Sequence, residues 1–588
     1  MLRCSTIFFR EPVLPGFPIP CRRHIVSDGF FESHRSRLED ALNAISTREY
    51  WSAFPEVPSG RIYGETAKTD GIESFKARLG APWPIEQPGT AAMVGQECSP
   101  YGMDLGVTYP SPDLDQLCAA SAAAMRDWKR ADVQTRTGVC LEILDRLNRR
   151  SFEMANAVMH TTGQGFMMAF QAGGPHAQDR GLEAVAYAYA EMMRTPASAI
   201  WTKQVSKTDS ISLAKDYRIV PRGVAVTVGC STFPTWNSYP GIFASLATGN
   251  SVVVKPHPGA VLPLAITVEV CREVIAEAGF DPNLVLLACD TTDAPITAGL
   301  VTHPEVRIVD YTGGNEFGDW VEANARQAVV FTEKAGVNAM ILDGIADMRA
   351  VSGNLAFSLC LYSGQMCTTP QNIYIPEAGI ETSDGTMSFD DVAGAIIKGV
   401  DWLLSEPARA SEILGAVQNP ATIDRVEAAR SAGGTVLRDG GPVDNEHFPE
   451  ARTCSPLIIQ VDEGDDRLYQ QECFGPIIYI VRTRSTARSI ELAADAAHRL
   501  GALTCGLYSL NDDVIDSTVD AMSDAGVALS CNLTGQIYVN QSAAFSDFHV
   551  SGANPAGNAT LCDGAFVASR FRTVASRIPV PASVEATT

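Results

Sequence analysis

Between residues 223 and 332 the chain alternates short β-rich apolar runs with helical stretches, and this alternation limits the fold more than any other feature. The run GVAVTVGC at 223–230 is almost continuously apolar and β-branched, as in a strand buried on both faces. Further strands are predicted at 252–255, 284–287, 308–312 and 329–332, with helices at 240–248, 260–278, 294–302 and 318–326. A βαβ series of this kind closes as a doubly wound parallel sheet. A second α/β series runs from Gly336 to about Asn532, its strands including 337–342, 372–375, 435–437, 477–481 and 504–507. The fold class expected is therefore α/β, with a nucleotide-binding domain at 115–332 and a second, catalytic domain at 333–535.

The flanks read differently. Helices are predicted at 30–50, 115–130, 132–162 and 179–194 from the spacing of their apolar residues. Residues 51–115 are rich in Pro and Gly and read as an irregular wrapping segment. Residues 1–27 read as a disordered extension, and 211–220 as an arm strand within about 207–222. The tail from 536 to 588 reads as a return segment whose 566–580 stretch suits an exchanged strand or dimer arm.

Charge and cysteine usage narrow the function. Sixty-eight acidic against 45 basic residues leave a net charge of −23, which repels nucleic acid and anionic membrane surfaces. No apolar run reaches membrane-spanning length. The fifteen cysteines contain no Cys-x-x-Cys pair, so neither a metal ligand set nor a disulfide framework is expected, and a reducing, cytoplasmic setting is.

Five stretches carry candidate chemistry. Cys367, in GQMC, lies in a turn between an apolar helical run and a strand, where a thiol can be exposed and nucleophilic. Glu333 ends an apolar strand; burial there would raise a carboxyl toward a working general base. Asn237, in TFPTWNSYP at the end of a strand, can donate to an oxyanion beside an attacking sulfur. Lys255 stands at the carboxyl end of a parallel strand, where nucleotides bind. Gly313, Gly314 and Gly318 form a strand–turn–helix element suited to a pyrophosphate, without the G-x-G-x-x-G spacing. Each feature is commonplace alone; their order is not.

Together they resemble the aldehyde dehydrogenase family. TWN at 235–237, GNSVVVKP at 249–256, TGG at 312–314, FTEKAG at 331–336, GQMC at 364–367 and QECFGP at 471–476 are similar to its signatures, over a span from about 118 to 572. The resemblance implies that Cys367 attacks an aldehyde, Asn237 and the Cys367 N–H hold the oxyanion, and Glu333 activates water against the thioester. It implies cofactor contacts from Trp236, Lys255, Gly313, Gly314, Gly318, Glu472 and Phe474. Three residues beyond Lys255 the family often places a glutamate, and here stands Pro258. With no carboxylate there, and His257 beside it, NADP is expected, with NAD as the alternative. Phe545 falls where the family places a pocket aromatic.

The long N-terminal segment and AFSDFHVSGANPAGN at 544–558 look most like a branch associated with phenylacetate degradation. That implies oxidation of a CoA-linked semialdehyde from aromatic catabolism by a homodimer or homotetramer. Rival readings are a CoA-acylating dehydrogenase, which typically lacks the glutamate, and a non-catalytic nucleotide scaffold. A cysteine hydrolase is a further rival, but it needs a histidine beside Cys367, and no histidine lies in a recognisable partner motif.

Overall fold

The computed structural model describes residues 25–535 and 542–580, with the side chains of 25–28 left aside. The extension expected at 1–27 falls outside these residues except for its end, since a helix begins at Ile25.

Two sheets make the frame. The first has five parallel strands in the order Val285–Leu287, Ser251–Lys255, Val224–Val228, Val306–Gly313, Val329–Lys334. Its central strands are covered by helices on both faces, as their unbroken apolar sequence requires. Register decides function here. Val228 pairs with Lys255 and Tyr311, and Thr312 pairs with Glu333. Lys255, the glycine turn and Glu333 therefore share the carboxyl edge of one sheet, where open α/β folds place their ligands.

The second sheet has seven strands in the order Thr435–Arg438, Leu457–Asp462, Ile477–Thr483, Asn372–Pro376, Ala339–Leu342, Thr504–Tyr508, Ala528–Cys531. All its pairings are parallel except that of the first strand, which runs antiparallel. A third sheet joins Ser198–Gln204, Ser210–Pro221 and the tail strand Phe571–Pro579, all antiparallel. The tail thus pairs with its own chain.

Several expectations change. The 51–115 segment is not irregular throughout: it holds a helix at Ala67–Arg78 and a hairpin of Thr90–Val94 with Tyr109–Pro112. The helix expected at 132–162 breaks at Arg150 into Val133–Arg149 and Ser151–Thr162. The helix expected at 240 begins at Pro234, because proline is tolerated in a first turn where its missing N–H costs nothing. Trp236 and Asn237 therefore sit in a helical first turn, not at a strand end.

One buried ion pair locks the tail to the first sheet. Arg570 Nη1 donates to Asp310 Oδ2 at 2.8 Å and to Ser245 Oγ at 2.7 Å, and Nη2 donates to Asp310 Oδ1 at 2.5 Å. The guanidinium lies 4.5 Å from the Phe331 ring centre and 4.1 Å from that of Phe566.

Candidate active site

The loop carrying Cys367 is set by backbone geometry. Tyr362, Ser363 and Gly364 are consecutive left-handed residues, at φ of 52°, 49° and 64°. Only glycine fits the last, since a Cβ there would lie 2.5 Å from the Gly475 carbonyl. The Ser363 hydroxyl donates to the Leu414 and Cys454 carbonyls, and Gln365 Oε1 accepts from the Gln418 N–H. Asn338, buried and unremarked in the sequence, donates to the Cys367 carbonyl at 2.7 Å and accepts from the Leu503 and Thr504 N–H groups. Three elements thus fix one turn.

Around the thiol the chain gathers Asn237, Glu333 and a residue sequence reasoning did not select, His549. Asn237 Nδ2 donates to Glu333 Oε2 at 2.6 Å. Glu333 Oε1 lies 2.7 Å from His549 Nε2, and the same nitrogen lies 3.9 Å from Cys367 Sγ. Ser542 Oγ sits 3.1 Å from the other ring nitrogen, and the Trp236 ring packs edge-on against the imidazole. Glu333, Cys367 and His549 bring their ligand-type atoms within 4.8 Å of one another, a grouping that the absence of metal motifs in the sequence did not suggest. Their close mutual contacts already satisfy the carboxylate.

His549 arrives through the tail. Gly557 bridges Glu333, the Ala556 carbonyl accepts from the Lys334 N–H at 2.6 Å, and Asn558 bonds both Thr332 and Val330. The sequence flagged 544–558 as unusual, and that segment contains the missing group. No local pattern ties position 549 to 333 or 367.

Electrostatics correct two expectations. Burial alone would raise the Glu333 carboxyl, but the His549 ring and the bonds from His549, Asn237 and Cys367 hold it below its ordinary value. Cys367 is half-buried rather than exposed, and its thiol is pushed well up by burial, then by Glu333 and Cys230. The site at rest holds a carboxylate beside a thiol.

The cofactor candidates lie on the same edge. Lys255 is buried, with Nζ 2.7 Å from Asp290 Oδ1, close enough for an ion pair though without hydrogen-bond alignment. His257 accepts from the Gly259 N–H through Nδ1, and burial with the nearby Lys255 charge lowers it to about 4, so at neutral pH it offers no cation. Gly314 caps the helix Asn315–Asn324 with open space where a Cβ would stand, whereas Gly318 packs against the Lys334 stem. Asn315 Nδ2 donates to Glu472 Oε2 at 3.2 Å, leaving Asn315 Oδ1 buried without a partner; burial raises Glu472 to about 7. Glu472 and Phe474 share a small cavity with Cys367. An open glycine turn and a buried lysine on one sheet edge, with a half-satisfied Asn–Glu pair at the helix after that turn, fit a dinucleotide.

The model of the aldehyde dehydrogenase family matches residues 108–559. The chain belongs to that family. A crystal structure of an NAD-dependent aldehyde dehydrogenase from Burkholderia multivorans is 54% identical and superposes with a TM-score of 0.92, covering 94% of this chain and 99% of that one. A 1-pyrroline-5-carboxylate dehydrogenase from Bacillus licheniformis is 23% identical over 543 residues, 89% of this chain and 93% of that protein. A 2-aminomuconic 6-semialdehyde dehydrogenase from a Pseudomonas species is 25% identical over 428 residues, 69% of this chain and 81% of that protein. The fold is that of an aldehyde dehydrogenase, as expected.

In this aldehyde dehydrogenase a second, larger cavity of about 710 Å³ reaches Cys367. Trp236 lines this cavity rather than the one shared by Glu472 and Phe474. Met366 and Thr368, which flank the thiol in sequence, line it too. Phe545 does not: its ring is buried against Trp51, and its neighbours Ala543 and Ala544 face the space instead. No helix among the described residues is long and apolar enough to cross a membrane.

Proposed function

We propose that the chain oxidises an aldehyde to a carboxylic acid on Cys367, with NAD as the preferred cofactor. The observation carrying this is that Met366 and Cys367 line both cavities, so the thiol stands between a substrate space and a cofactor space. Cys367 Sγ adds to the aldehyde carbon, and Asn237 Nδ2 turns from Glu333 to the developing oxyanion. Lys255, the 313–314 turn and Glu472 would hold the nicotinamide cofactor, which would supply the hydride acceptor. Glu333, released from Asn237, then takes a proton from the water that cleaves the thioester. A carboxylate in that place favours water over CoA as acyl acceptor.

NAD rather than the expected NADP is favoured by two features. Asp290 puts a carboxylate beside Lys255, and the neutral His257 offers a 2′-phosphate no positive charge.

The substrate cavity supports an uncharged aldehyde with a sizeable apolar body. Phe233, Trp236, Phe357, Leu361 and Met366 wall it, whereas Glu56, Asp179 and Glu412 are its acidic groups, with no Lys or Arg in the lining among the described residues. Residues 536–541, QIYVNQ, add no charge to the chain before Ser542. A CoA-linked semialdehyde, as in phenylacetate catabolism, carries phosphates that such a lining does not pair; that reading rests on the resemblance alone. The exposed apolar tail sheet supports a homo-oligomer.

Reduced-nicotinamide absorbance tests these points with aryl and long-chain aldehydes against CoA-linked semialdehydes, each with NAD and NADP. Free apolar aldehydes with NAD should give the highest kcat/KM, by about tenfold or more, with free acid as product and no turnover by Cys367→Ser. Silence with every aldehyde overturns the activity; faster CoA-linked substrates, or NADP preference, overturn the finer parts.

A further inference from the structure

His549 presents one nitrogen to two reacting groups. Nε2 lies 2.7 Å from Glu333 Oε1 and 3.9 Å from Cys367 Sγ, and the ring is held by Ser542 on Nδ1 and by the Trp236 edge. The residue is 2% exposed, so bulk water does not serve as an alternative partner. An imidazole nitrogen has a single in-plane position, so an Nε2–H bonds one of the two neighbours well at any moment. Which neighbour it serves depends on which carries negative charge.

We propose that His549 is a catalytic donor that follows negative charge from Glu333 to the Cys367 sulfur and back during each turnover. This rests on Cys367 being the nucleophile. In the addition step the Sγ–H proton passes to Glu333, the sulfur forms its bond to the aldehyde carbon, and the carbonyl π pair moves onto oxygen as the oxyanion. As the Sγ–H proton leaves for Glu333, and before the C–S bond closes, the neutral carboxyl no longer competes for Nε2–H, which turns to the transient thiolate. The adduct would give up hydride from the former aldehyde carbon to the nicotinamide of the proposed function, the oxyanion pair re-forming the carbonyl of the thioester. Glu333 loses its proton to solvent before acting on water. In the hydrolytic step it takes a water proton while the oxygen adds to the thioester carbon, the C–S bond breaks with its electron pair on sulfur, and Nε2–H stabilises the departing thiolate. The Glu333 proton then returns to sulfur, and the product acid ionises. The imidazole changes partner without changing its own proton count.

The arrangement also explains how a thiol beside a buried carboxylate can ionise at all. The titratable groups acting on Sγ are Glu333 and Cys230, both unfavourable to a thiolate. The Cys367 backbone N–H favours the thiolate, and His549, 3.9 Å from Sγ, is the second donor that helps to offset them, since a hydrogen bond to a buried anion is stronger than one between neutral groups.

Alkylation of Cys367 by iodoacetamide, read by peptide mass and as a function of pH, tests this without substrate or cofactor. It is therefore separable from a failure of the oxidation itself. His549→Phe keeps a ring against Trp236 but removes the donor, and should slow alkylation at neutral pH by roughly 10- to 100-fold and move the profile to higher pH. His549→Gln restores an N–H and should recover most of the rate. Glu333→Gln frees Nε2–H for sulfur and should speed alkylation, a gain lost in Glu333→Gln/His549→Phe. Should His549→Phe fail to fold, as judged by melting, the Glu333→Gln profile compared with Glu333→Gln/His549→Gln still decides: the double variant must keep the gain. Unchanged profiles in folded His549→Phe, or a Glu333→Gln gain that survives loss of every donor at 549, overturn the proposal.

Discussion

Glu333 and Asp179 are both sunk in the interior, and their carboxyl groups move in opposite directions. Burial pushes each up, but Glu333 has the His549 ring and three hydrogen-bonding neighbours to pull it back down. Asp179 is held chiefly by the Ser52 hydroxyl at 2.6 Å and the Ala53 N–H at 3.0 Å, and rises from 3.8 to about 7. The two residues show that a buried acid takes its character from its donors, which sequence position does not reveal. Asp179 ties the N-terminal segment over the substrate cavity, and its linkage has a definite sign. Because its folded value is raised, its contribution to stability is whole below about 3.8 and is lost as pH rises through about 7. Asp179→Asn keeps an acceptor for the Ala53 N–H and cannot ionise. The melting temperature of the variant should therefore gain on the parent as pH rises from about 5 to about 8. A constant gap between the two melting curves would show that Asp179 ionises alike in the folded and unfolded chain, with no raised folded value.

Elements were legible where periodicity is local and obscure where pairing is distant. The run at 223–230 could only be a central strand, and Val224–Val228 is one. Cys367 and Glu333 could be picked out because each lies at the end of an apolar run, and the register brings Lys255 and the glycine turn to Glu333's sheet edge. The hairpin at Thr90–Val94 was lost behind the prolines around it, one of which, Pro110, lies within the partner strand. His549 lay beyond reach because its partners are 216 and 182 residues away in sequence, joined only by the tail's pairing with the Glu333 strand. The tail strand Phe571–Pro579 was foreseen as an arm. In the chain it extends a sheet that leaves Ile200, Ile211, Val574 and Ile578 about half exposed, more apolar surface on one small sheet than scattered exposure explains. Val574→Asp should shift the proposed homo-oligomer to smaller species in sedimentation velocity while leaving the melting cooperative. A parent chain that already sediments as a monomer would remove the reason for that sheet.

At the scale of the whole molecule, the tail is locked to the first sheet at Arg570. Arg570 is fully buried against Asp310, and removing one member of such a pair strands the other charge at a cost of about 3–5 kcal/mol. Arg570→Leu should lose that much in urea unfolding, and Arg570→Leu with Asp310→Leu should recover a good part of it; equal losses in both would place the energy in packing alone. The anchoring has a consequence in time as well as in energy. Synthesis from the amino end delivers Asn237, Glu333 and Cys367 long before His549, the stitching at Ala556–Asn558 and the Arg570 lock. A nascent chain still missing its final segment therefore carries both sheets and the thiol, yet lacks the donor beside that thiol. On the role proposed for His549, the thiol gains its donor only once the tail has been made, so the order of the letters acts as a delay built into manufacture.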